Sequence, residues 1–304
     1  MEFSSSLLVD NQEYLLLLAI VMGLSFAAKK TQFFLPLYSL IARKVKSKRA
    51  VVALISLISG VLPINGRASV SAGALDTIAP KKNRSKYGVV DYLSTHHYYF
   101  WSPLEATVIV PMATLGITYW QFMGRMLPLL LTALAVIVFY LFRVLKEEDI
   151  DIDVVKRTEP TEWKQDRKQL VGYAKTLLFV GAIIILGNIV KANFETINAW
   201  VNSAHDNGLL LMVIIAGFLA SFALGSSGKF AGFTSLSATV YGVEYLPLFF
   251  AIDYAGYMLS PAHKCLIITK SYFGTTLKEH YKAIFALVIP VMAMGVLTYL
   301  TIDK

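Results

Sequence analysis

Arg67, Lys229 and Asp253 are charged residues set within apolar sequence. Each is a candidate for chemistry, because a charge in hydrocarbon costs roughly 2.5–3.5 kcal/mol on insertion scales and needs a partner. Arg67 closes the run Pro63-Ile64-Asn65-Gly66-Arg67, and Lys229 closes Gly225-Ser226-Ser227-Gly228-Lys229. Gly66, Gly225 and Gly228 let backbone approach a ligand closely. Ser69, Ser226 and Ser227 add short hydroxyls. Where a helix restarts after such a break, its free N–H groups and its dipole favour an anion. Asn65, Gly66, Arg67 and Ser69 at one break, with Ser226, Ser227, Gly228 and Lys229 at the other, therefore form a candidate substrate-binding set. Arg67 is the better carboxylate clamp, because a guanidinium bonds in bidentate fashion. The bland alternative pairs Arg67 and Lys229 with Asp76, Glu244 or Asp253, or lets them snorkel away. Carbonyls at the ends of the entering half-helices, near Gly60–Leu62 and Leu224, suit a cation such as sodium.

Asp253 lies in the apolar stretch LPLFFAIDYAGYMLSP. An intramembrane carboxylate is a functional candidate, and neutralising Lys229 is the competing role. Ser260-Pro261 predicts a helix break, since proline removes a backbone donor. His263 follows, and histidine is the side chain whose unperturbed charge change lies nearest neutral pH. Asp253, Ser260 and His263 are the coupling-ion candidates, although a histidine near a helix end is more often structural. Glu105 reads as a favourable first-turn acid. His96 and His97 point to different helix faces, unlike the i, i+4 pairs of metal sites. Cys265 is the one cysteine and has no partner Cys. No metal ligand set and no cofactor is expected beyond possible Na+ as coupling ion. Nor is an enzyme, since no Walker loop, G-x-S-x-G elbow or H-E-x-x-H run is present.

The elements that position these residues are membrane helices. The chain is 56% hydrophobic and 16% charged over 304 residues, more apolar side chain than a soluble fold of this size can cover. Its basic residues lie mostly in loops, so the charge reads as orientation and not as a nucleic-acid footprint. Apolar runs that reach a spanning length fall at 13–28 (extended by part of 31–42), 101–120, 126–145, 171–190, 245–268 and 283–301. The first follows Asp10 and Glu13 and is expected to stay as an anchor. Residues 51–80 and 209–240 are broken instead. Val51–Leu62 gives only ~18 Å of helix against a core of ~30 Å. Lysines and arginines flank both ends of 51–80, so the segment is expected to enter and leave on one side. Backbone exposed at that depth is tolerated only where protein or a cavity surrounds it. Tyr87–Trp101, rich in Tyr and His, reads as an interfacial helix with rings at headgroup level.

With the N-terminus extracytoplasmic, segments 29–49, 81–86, 143–168 and 264–282 face the cytoplasm and hold seven, four, seven and four of the 28 Lys/Arg. Each half then reads span, hairpin, span, span, and the halves begin on opposite faces. The expected fold is an all-α polytopic membrane protein, an inverted-topology repeat with about six spanning helices and two re-entrant helical hairpins. Residues 1–145 form the first repeat with its hairpin at 51–80. A charged cytoplasmic linker covers 146–170. Residues 171–304 form the second repeat with its hairpin at 209–240.

Two segments carry a family resemblance. Gly60-Val61-Leu62-Pro63-Ile64-Asn65-Gly66-Arg67-Ala68 resembles the Pro-Gly-rich hairpin of the integral-membrane family DUF401, within the ion transporter superfamily. Gly256-Tyr257-Met258-Leu259-Ser260-Pro261-Ala262-His263-Lys264-Cys265-Leu266, followed by Tyr272-Phe273, is similar to that family's late G-Y-x-L-S-P-x-H-x-C-L motif. The resemblance implies a secondary transporter of small anions, often carboxylates, coupled to sodium or protons, in a bacterial-type plasma (inner) membrane. Asn65 and Arg67 depart from the family's usual Pro and Gly, and the chain is short for the family. The expected partners are the lipid bilayer and a small anionic substrate, with a homodimer left open. An anion channel or a non-transporting scaffold is the alternative, and a membrane-embedded enzyme comes after both.

Overall fold

A computed structural model describes residues 34–61, 84–146 and 208–301, with residues 16, 71, 72, 75, 150, 189 and 196 besides. Apart from residues 16 and 189, the spans expected at 13–28 and 171–190 lie outside the described residues, as do the tip at 63–67 and nearly all of the linker. Within the described residues every regular element is helical. In chain order these are α1 Phe34–Lys44, α2 Lys48–Val61, α3 Arg84–Ser94, α4 Ala106–Leu115, α5 Tyr119–Val144, α6 Leu209–Leu224, α7 Ser227–Tyr241, α8 Leu246–Leu259, α9 Lys264–Phe273 and α10 Leu277–Leu300. Short 3-10 turns at His97–Phe100 and Val243–Tyr245 join α3 to α4 and α7 to α8.

The two long helices start from local sequence. Thr118 Oγ1 accepts from Gln121 N and Gln121 Oε1 accepts from Thr118 N, a reciprocal capping box that opens α5. Thr276 and Glu279 repeat the device at the start of α10. At 26 and 24 residues these helices run ~39 and ~36 Å. They are the two described helices long and apolar enough to cross a membrane. Their outward faces carry Leu131, Phe139, Phe142, Ile289, Leu297 and Leu300, all exposed. In α6 the pattern is inside out: only Gly217 and Ser221 are buried, while Leu211, Met212, Ile215 and Leu219 are exposed. Water would penalise that arrangement and lipid would not, which fits a membrane protein.

Order recurs along the chain. α3 bears Asp91, breaks at residues 95–105, and resumes as the ten-residue α4. Gly116 ends α4 in the left-handed region, and the Thr118 box starts long α5. α8 bears Asp253, breaks at Ser260, and resumes as the ten-residue α9. Gly274 ends α9 in the left-handed region, and the Thr276 box starts long α10. Packing follows the same order: α3 lies against α10, α8 against α5, and α5 against α10.

Close crossings rest on glycine. A Cβ on Gly256 of α8 would collide with the Phe218 carbonyl oxygen of α6 and stand 3.2 Å from Ser221 Cβ. One on Gly295 of α10 would meet Ala251 Cβ of α8 at 2.6 Å. Backbones therefore touch where α6, α8 and α10 cross, the small-residue packing that membrane helices use. An aromatic core fills the centre, with Phe230 of α7 edge-on to Phe250 and Tyr99.

Three expectations change. The run 101–120 is not one span, because Trp101–Leu104 stays outside a helix and Gly116 stops α4 after ~15 Å. The run 245–268 is two helices, as Ser260-Pro261 predicted. The Tyr87–Trp101 segment is packed into the protein and not laid on its surface. Tyr92, His96, Tyr98, Tyr99 and Phe100 are each at most 1% exposed. Their rings pack on α8 and on one another.

Candidate functional site

The break between α6 and α7 is short. Gly225 ends α6 in the left-handed region, Ser226 is the N-cap of α7, and Ser227, Gly228 and Lys229 form its first turn. The second half-helix thus restarts at Ser227, inside the Gly225–Lys229 run. Ser226, Ser227 and Lys229 are half-buried and Gly228 is buried. Ser226 makes no side-chain cap bond. A Cβ at Gly225 would lie 2.8 Å from Ser260 Oγ and 2.9 Å from the Ala262 carbonyl carbon. The tip of this helix pair therefore rests on the break in α8. There Ser260, fully buried, accepts a bond from Ala262 N at 3.2 Å. Asn65, Gly66, Arg67 and Ser69 lie outside the described residues, as does Asp76.

Asp253 faces both arms of the α6–α7 pair. Its Oδ2 accepts from Thr234 Oγ1 of α7 at 2.7 Å, and its Oδ1 sits against Gly217 of α6, where a Cβ would collide with it. Among the described residues Asp253 pairs with neither Lys229 nor any other cation. It is 3% exposed.

Asp91 is a residue the sequence reading missed. It is fully buried in α3. Its Oδ1 accepts from Ser56 Oγ of α2 at 3.5 Å and from Ser71 Oγ in a shorter bond. Ser56 and Ser71 flank the first tip, one before it and one after it. Asp91 Oδ2 is buried with no hydrogen-bond partner among the described residues. Asp253 thus touches both helices that flank the break at Gly225, and Asp91 touches Ser56 and Ser71, which stand before and after Pro63–Arg67 in the chain. Its position after the tip, nearly that of Asp253, is the signal that could have found it.

The two breaks downstream of these aspartates meet. His96, after α3, and His263, the N-cap of α9, bring their Nε2 atoms to 3.1 Å. His263 Nδ1 lies 2.9 Å from Tyr92 Oη, which donates to the Met258 carbonyl at 3.0 Å. Cys265 Sγ stands within 4.8 Å of ring nitrogens of both histidines. The sequence reading set aside metal chemistry because His96 and His97 diverge and Cys265 is alone. They do diverge: His97 faces Leu57 O and Trp101. His96, however, finds its neighbours across the fold. His263 is not an isolated residue at a helix end but half of this pair, 1% exposed. Glu105 is the N-cap residue of α4, one place before the first turn, and makes no side-chain cap bond.

No curated protein and no solved structure matches the chain. The family described as "Protein of unknown function (DUF401)" matches residues 6–150 and 192–302, which takes in both broken segments, both buried aspartates and the His96–His263 pair, and the chain belongs to that family.

Proposed function

We propose that the chain is a secondary active transporter of a small organic anion, a carboxylate in particular, coupled to protons or sodium. Two re-entrant hairpins in an inverted repeat bind the substrate between their tips, and one repeat moves against the other. The ion transporter superfamily is the natural home for this arrangement. One observation carries the reading: two buried aspartates in corresponding places of the recurring element order, Asp253 held by both helices that flank the break at Gly225 and Asp91 by Ser56 and Ser71 on either side of Pro63–Arg67 in the chain. An ionised carboxylate out of water is costly without compensation. Asp91 and Asp253 meet only neutral hydroxyls and backbone among the described residues. Each is therefore set to take up a proton or a cation, and doing so changes how tightly the two arms hold together. Substrate charge is met by the N-terminal turn of α7 with Lys229, and by Arg67 at the first tip.

Thermal stability of the detergent-purified protein against carboxylates, phosphate and sulfate, in sodium or potassium and across pH, tests this. A ligand at ~100 times its Kd stabilises the state it binds by ~2.7 kcal/mol. One anion class that stabilises, and does so more strongly with sodium or at lower pH, is the expected result. A flat response to every anion contradicts it.

A further inference from the structure

We propose that His96, His263 and Cys265 form a binding site for a transition-metal ion of borderline softness, Zn2+ being the type. Tautomers carry the argument. His96 Nδ1 bonds the Tyr92 carbonyl oxygen, which only accepts, so His96 Nδ1 carries the proton. With the Tyr92 Oη proton directed at the Met258 carbonyl, 3.0 Å away, the same oxygen accepts from His263 Nδ1 at 2.9 Å. In that arrangement both histidines are Nδ1–H tautomers. Their Nε2 lone pairs then face one another at 3.1 Å. Two lone pairs at that distance repel, and a cation between them turns the repulsion into coordination. Nitrogens ~2.0–2.1 Å from one zinc ion stand ~3.3 Å apart at a tetrahedral angle, near the observed separation.

The rest of the surroundings agree. A metal-ligating histidine typically donates its other N–H to a carbonyl or similar acceptor, which fixes the tautomer and makes the ligand more basic. His96 uses the Tyr92 carbonyl and His263 the Tyr92 hydroxyl, so one residue orients both rings. Cys265 Sγ, within 4.8 Å of the ring nitrogens, supplies the third ligand as a thiolate. Two imidazoles and a thiolate favour zinc or copper over magnesium or calcium, which take oxygen. Three protein ligands leave a fourth position for water or an anion. His96 and His263 come from two helix breaks 167 residues apart and Cys265 from the first turn of α9, so the ion would clasp the two halves of the chain. The site stands on this geometry and does not depend on transport.

The full chain in detergent, stripped with a chelator, is titrated with Co2+ as a spectroscopic probe and then with Zn2+. One equivalent of Co2+ with a thiolate charge-transfer band, displaced by Zn2+, is expected. Cys265→Ser removes the charge-transfer band. His263→Asn and His96→Asn lower affinity by more than the ~10–100-fold that loss of an outer-shell partner costs, and Tyr92→Phe lowers it within that range. His97→Asn, outside the cluster, leaves binding intact. Wild type gives a readout that needs no variant: with a single cysteine in the chain, Zn2+ slows maleimide labelling at one defined thiol. Absence of stoichiometric binding, or a cobalt spectrum unchanged in Cys265→Ser and His263→Asn, overturns the site. The first result would leave a shared proton between the histidines, and the second would leave adventitious surface ligands.

Discussion

Replacing Gly256 with alanine tests whether α6 and α8 touch backbone to backbone, and Gly124→Ala is its internal reference. Both glycines lie inside helices, so each substitution gains the same helix propensity, ~0.8–1.0 kcal/mol. Gly124 of α5 has nothing within 4 Å of the added Cβ. At Gly256 the new methyl runs into the Phe218 carbonyl oxygen and comes within 3.2 Å of Ser221 Cβ. A carbonyl in the middle of α6 cannot turn aside as a side-chain tip can. The helices must separate, and overpacking of this kind costs typically ~1–3 kcal/mol. The propensity gain cancels in the comparison. Gly256→Ala should therefore be ~1–3 kcal/mol less stable than Gly124→Ala. Thermal or denaturant unfolding of both variants in one detergent measures the difference. Equal stabilities would mean that α6 does not cross α8 at Gly256. The account of Asp253 held between Gly217 and Thr234 would then fail with it.

Thr234→Val keeps the shape of the side chain and removes the 2.7 Å bond to Asp253 Oδ2. It should destabilise the protein by ~1–3 kcal/mol, because a buried acceptor loses its donor, and an unchanged unfolding curve would contradict the contact. Thr276→Ala removes the cap of α10 and should cost ~1 kcal/mol in the same assay. Arg67→Ala should abolish anion-dependent stabilisation with the unliganded melting curve preserved, and undiminished anion binding would remove Arg67 from the substrate site.

Local chemistry was legible in the sequence. Gly225 broke the 209–240 segment, Ser260-Pro261 broke α8, and the runs at 126–145 and 283–301 became α5 and α10. Hydropathy overran the 101–120 segment because apolar content does not register where a glycine in the left-handed region stops a helix. Composition also misplaced Tyr87–Trp101. A headgroup belt and a ring-packed interior ask for the same aromatic residues, and only the packing partners from α7 and α8 separate the two. Asp91 was hidden because its donors, Ser56 and Ser71, are unremarkable serines 35 and 20 residues away. His96, His263 and Cys265 looked like a histidine pair, a helix-end histidine and a lone thiol. What joins them is the meeting of two helix breaks, which no short-range pattern records.

The most direct test of the central claim is uptake into proteoliposomes of the anion found to stabilise the protein, driven by a proton or a sodium gradient. Wild type, Asp91→Asn and Asp253→Asn would be compared side by side. The account predicts gradient-driven accumulation by wild type and its loss in both variants, with substrate binding retained in at least one of them. Accumulation at the wild-type rate in both asparagine variants would contradict the assignment of the buried aspartates to coupling.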